Sequence, residues 1–87
     1  MREITVDCTQ IPSPEEMHSI LARELNFPDW YGKNLDALHD CLTSVTENTK
    51  ILFLHFPALP FSTAGLLRVL RDSEEENKNL EILFVTN

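Results

Sequence analysis

Two nearly continuous apolar runs, Lys50 to Phe56 (KILFLHF) and Leu80 to Thr86 (LEILFVT), constrain this chain more than any other feature. Runs of that length with little polar alternation read as strands covered on both faces. Such strands belong to parallel sheets, whose strands are joined by crossovers long enough to hold helices. The stretches before each run are long enough. Near the start, Ile4, Val6 and Cys8 alternate with Thr5 and Asp7, the period of a half-exposed strand. The expectation is an α/β fold. With 87 residues there is room for one domain, 1–87, and one core; a chain of this size buries roughly 60% of its unfolded surface.

Between the strands the helix signals are local. Ser13-Pro14-Glu15-Glu16 is a capping box with proline at the first helical position. Met17, Ile20, Leu21 and Leu25 then fall on one face. Pro28 excludes Phe27 from helical geometry and ends the helix. A later helix is expected from about Ser62 to Glu75, burying Leu66, Leu67 and Leu70, with Asn77-Lys78-Asn79 as the turn into the last strand.

The chemistry that the chain lacks is informative. Seven Lys plus Arg against fourteen Asp plus Glu give a net charge of −7. A body this acidic repels nucleic acid, whose nonspecific affinity comes from Lys and Arg. The charge either maintains solubility or steers the protein towards basic partners. Cys8 and Cys41 form no ligand spacing, and His18, His39 and His55 add none. They are expected to be reduced, packed thiols, with no metal and no cofactor. Gly32 and Gly65 are the two glycines, too few for a phosphate-cradling loop. There is no G-x-S-x-G turn either. No catalytic residue is expected, and the protein is read as not an enzyme. No apolar run approaches the roughly 18 residues of a membrane span. The start, MREITVD, does not read as a secretory leader, so a cytoplasmic location is expected.

One helix carries the functional argument. From Asn34, a suitable N-cap, Leu35, Leu38, Cys41, Leu42 and Val45 cluster on one side. Asp36, Asp40, Thr43 and Glu47 form a stripe nearly opposite, flanked by His39. Asp36 and Asp40 are a like-charge i,i+4 pair, which costs an isolated helix a few tenths of a kcal/mol. Trp30 and Tyr31 stand in the preceding loop. Their rings either cover core or, beside the carboxylates, form a hot-spot surface for a basic partner.

The block Trp30-Tyr31-Gly32-Lys33-Asn34-Leu35-Asp36-Ala37-Leu38-His39-Asp40-Cys41-Leu42 resembles the signature of the barstar family, inhibitors of secreted barnase-type ribonucleases. The resemblance is strong from Leu25 to Thr43 and looser elsewhere. It implies a three-stranded parallel sheet packed against three to four helices. It also implies a monomeric inhibitor that plugs the active site of a basic secreted ribonuclease, with Asp40 where an RNA phosphate would sit. Around Asp40 it places Trp30, Gly32, Asn34, Leu35, Asp36, His39, Thr43 and Ser44. A further acid late in the last helix is best matched by Asp72, with Glu74 and Glu75 as alternatives. Three positions depart from the family prototype: His39 replaces a tryptophan, Lys33 an acid, and Ser44-Val45 a Gly-Trp pair. The second reading is a module on the same scaffold whose partner is not a ribonuclease.

Overall fold

The computed structural model describes residues 1–85. Three strands and three helices follow one another as β1 (Arg2–Asp7), α1 (Pro14–Leu25), α2 (Leu35–Thr43), β2 (Thr49–Leu54), α3 (Ala64–Glu76) and β3 (Leu80–Val85). Short 3-10 turns occupy Cys8–Gln10 and Phe56–Ala58. The sheet is parallel in the order β1-β2-β3. The α/β expectation therefore holds, down to the parallel sheet. The second strand ends two residues early, because His55 turns left-handed (φ 58°) and starts the 3-10 turn. Thr86, expected in the last strand, lies outside the described residues.

One expectation fails. The sheet is covered on one face, not on both. Both crossovers step the same way across the sheet, and crossovers of the usual right hand then lay their helices on the same side. Burial follows that geometry. Ile4, Val6, Ile51, Phe53, Leu80 and Ile82 are buried, while Glu3, Thr5, Glu81 and Leu83 are exposed. Register aligns Ile4, Ile51 and Ile82 in one row, and Val6, Phe53 and Phe84 in the next. Phe53 stacks on Phe84 at 5.6 Å, and Phe56 meets both rings edge-on.

The helices start where the sequence signals them. Ser13 Oγ accepts from the Glu16 N–H at 3.2 Å, with Pro14 at the first position. Asn26 ends α1 in the left-handed conformation (φ 56°), one of the few non-glycine residues suited to it. His18 joins Met17, Leu21 and Leu25 on the buried face, while Ile20 is half-buried. In α3, Leu66, Leu70 and Ser73 are buried and Leu67 is half-buried. No helix of the described residues is long and apolar enough to cross a membrane.

Candidate functional site

The loop from Asn26 to Asn34 separates its two aromatic neighbours. Tyr31 is buried at 8% exposure, packs on Phe27 at 4.9 Å and shares a 2.6 Å hydrogen bond between its hydroxyl and His18 Nδ1. Trp30 is 79% exposed. Of the two roles open to these rings, Tyr31 takes the core and Trp30 stays in solvent. A turn closed by the Tyr31 N–H to Pro28 O at 2.9 Å sets them apart. Burial pushes the Tyr31 hydroxyl up to about 12. Burial also moves His18 down, so this pair is held neutral at pH 7.

Asn34 then starts α2. Its Oδ1 accepts from the Ala37 N–H at 2.8 Å, and its Nδ2 donates back to Gly32 O at 3.3 Å. A Cβ on Gly32 would lie 3.0 Å from that Nδ2 and press on the cap. Asp36 lies in the first turn, where the helix dipole favours a negative charge. Leu38 and Leu42 anchor the helix at 0% exposure. Asp36 and Asp40 are consequently left outward and exposed.

Leu35 is also at the surface, lying over the first turn of α3. A Cβ on Gly65 would meet Leu35 Cδ1 at 2.8 Å. That atom is the end of a flexible side chain, so Gly65→Ala should displace Leu35 without strain on the backbone. Alanine is favoured over glycine in a helix by up to about 1 kcal/mol. The variant should melt at or above the wild-type temperature.

At the other end of α2 the hydroxyls fold back onto the helix's own carbonyls. Thr43 Oγ1 donates to His39 O at 2.8 Å, and Ser44 Oγ donates to Asp40 O at 2.7 Å. Both are candidate contact residues, Thr43 from the stripe and Ser44 from the resemblance, yet their protons are committed to backbone carbonyls at the end of the helix. Asn77, buried at the end of α3, completes this terminus by donating to Leu42 O and Val45 O, both at 2.9 Å. An open groove of about 490 Å³ runs between the loop and this end of α2, lined by Phe27, Pro28, Trp30, Asp40, Ser44 and Glu47 among others.

His39, on the flank of the stripe, also reaches across to α3. Its Nε2 meets Glu76 Oε2 at 2.7 Å, with Asp40 beside it on α2. That hydrogen bond raises the imidazole above its usual value of 6.5, with smaller help from the charges of Glu76, Asp40 and Asp72. Asp72 is thereby within electrostatic reach of α2. Glu74 instead caps the outer edge of β3, accepting the Ile82 N–H at 2.7 Å, so its carboxylate is turned away. Glu75 is exposed. Trp30, Asp40 and Ser44 share the groove, and Asp36, His39 and Asp72 extend the acidic surface along α2 and α3.

Glu76 and Asn77 were not singled out as site or support residues by sequence patterning. Their partners lie more than thirty positions away, where periodicity is blind. The i,i+4 spacing of Asp72 and Glu76 was the available signal. Among the described residues no group of three or more His, Cys, Asp or Glu is placed to hold a metal ion. Both cysteines are free, and burial pushes the Cys8 thiol up to about 11. An exposed carboxylate surface is suited to binding cations.

Residues 1–86 match the sequence model of the family described as Barstar (barnase inhibitor). The chain is also 37% identical over 86 residues to a Bacillus subtilis (strain 168) protein named "Putative ribonuclease inhibitor YrdF", covering 91% of this chain and 92% of that one. With an α/β fold built on a three-stranded parallel sheet and a match spanning nearly its whole length, this chain belongs to the barstar family.

Proposed function

We propose that this protein is an inhibitor that plugs the active site of a basic, barnase-type ribonuclease with the surface formed by the Trp30 loop and α2. The observation that carries the reading is Asp40, exposed on a rigid helix beside the solvent-facing Trp30 ring. The proposed contact set is Trp30, Gly32, Asn34, Leu35, Asp36, His39, Asp40, Thr43, Ser44 and Asp72. It offers acids to cations and a large ring to a pocket, the residue types that dominate tight interfaces. The family match and the named relative support a ribonuclease as the target. The protein acts as a monomer in the cytoplasm, by occupancy and without turnover.

The net charge of −7 makes the encounter electrostatic. The Debye length shrinks from about 30 Å at 0.01 M salt to about 8 Å at 0.15 M. Stopped-flow association with barnase should slow across that range. A rate that ignores salt contradicts the steering role given to the acids.

Trp30 supplies an independent check. Its exposure means that Trp30→Ala should leave the fold within about 0.5 kcal/mol of wild type. If the ring is an anchor, calorimetry should show a binding loss of about 2 kcal/mol or more. Unchanged affinity would remove Trp30 from the contact set.

A further inference from the structure

His39 is the side chain that α2 sends across its seam with α3 into an acidic setting. It is bonded to Glu76 at 2.7 Å, and it faces Asp72 from α3 and Asp40 from its own helix. Every charged group that bears on it is an acid. Both partners remain partly open to water, at 32% and 56% side-chain exposure, so protons reach them freely.

We propose that the His39–Glu76 pair gates the inhibitory face by a single proton, which tightens the free fold and weakens the complex. The inference rests on the ribonuclease-binding reading given above. With a neutral imidazole, the surface presents Asp40, Asp72 and Glu76 as three acids around an uncharged ring. Protonation places a cation among them and commits Glu76 to it. An approaching basic partner then meets one fewer net negative charge and must compete with His39 for Glu76. By reciprocity, cations of the partner expel the proton from His39.

The two consequences have opposite signs. His39 binds its proton more tightly in the folded chain than its ordinary value of 6.5. Its contribution to stability is therefore fully present below pH 6.5 and is lost as pH rises through the higher folded value. Deprotonation loosens the seam without opening it, because a neutral Nε2–H still donates to Glu76. Binding runs the other way. Affinity is full above the folded value and falls as pH drops through it, with a slope of at most about tenfold per pH unit for one linked proton.

The experiment uses barnase as the probe and compares wild type, His39→Gln and Glu76→Gln between about pH 5.5 and 8.5, a range that brackets histidine titration. Calorimetric Kd values should weaken towards acid more steeply for wild type than for His39→Gln. Titrations of the ribonuclease itself occur in both and cancel in the comparison. The slope is read rather than the absolute affinity, because His39 is also a proposed contact. In the free protein, the Tm advantage of wild type over His39→Gln should be greatest in acid and fade as pH rises. Proton NMR should find His39 titrating above 6.5, and Glu76→Gln should bring it down. Parallel Kd profiles, or a His39 titration that Glu76→Gln does not move, overturn the gate and leave the inhibitor reading standing. No binding by any variant at any pH overturns the inhibitor reading and the gate with it.

Discussion

Replacing Asp40 with alanine should weaken inhibition of a barnase-type ribonuclease by about thirtyfold to several-thousandfold while leaving the melting temperature unchanged. Stability is spared because the carboxylate is exposed on the outward side of α2, while Leu38 and Leu42 hold the helix from the other side. Removing one member of the Asp36–Asp40 like-charge pair even favours the helix by a few tenths of a kcal/mol. In the complex the same carboxylate would be desolvated against cations of the enzyme. Truncation would strand those cations, a loss of about 2–5 kcal/mol or more. That size is known from charge pairs between barnase and barstar, the prototype of this family, and only its assignment to Asp40 comes from this chain. Glu3→Ala is the companion measurement. Glu3 is exposed on the sheet face opposite the helices and should cost nothing in inhibition. Equal losses for the two variants would point to net charge rather than to a site.

The largest effect on the fold outside the apolar core is expected at Asn77. Its buried amide holds Leu42 O and Val45 O, and its Oδ1 accepts from the Asn79 N–H at 3.0 Å. It joins the end of α3 to the end of the helix that carries Asp36 and Asp40. Alanine would remove these three hydrogen bonds, leaving Leu42 O the Val45 N–H at 3.3 Å and Val45 O the Asn79 Nδ2 at 3.5 Å, at a cost of about 1–3 kcal/mol. For a chain of this size the Tm should fall by roughly 5–20 °C. Asn77→Asp should do at least as badly, because a carboxylate would face two carbonyl oxygens. A thermal melt of both variants checks this, and an aspartate variant as stable as wild type would show that the amide donors are not what matters.

What the sequence made legible was the part written in local spacing. The Ser13 and Asn34 caps, the Leu38–Leu42 anchor and the outward Asp36–Asp40 stripe each depend on residues within four positions of one another. The parallel sheet was legible from the apolar runs, but its open face was not. Apolar Leu52 and Leu83 suggest cover on both sides, whereas the strand order decides on which side the helices fall. Nor did spacing say which of Trp30 and Tyr31 faces solvent. That depends on His18, a polar residue on a buried helical face, whose hydrogen bond holds the Tyr31 hydroxyl inside. The His39–Glu76 bond was hidden for the same reason as the Asn77 clamp: both join α2 to α3 across a long stretch of chain.

The proposed role rests on one event, the occupation of a ribonuclease active site by the α2 surface. An activity titration reaches it directly. Barnase at fixed concentration is mixed with increasing amounts of this protein, and cleavage of a small RNA substrate is followed. A one-to-one plug predicts that activity falls linearly and is abolished at an equimolar ratio, with the substrate competing for the free enzyme. Full activity in the presence of a large excess of folded protein would contradict inhibition of a barnase-type enzyme and leave the barstar scaffold serving another partner.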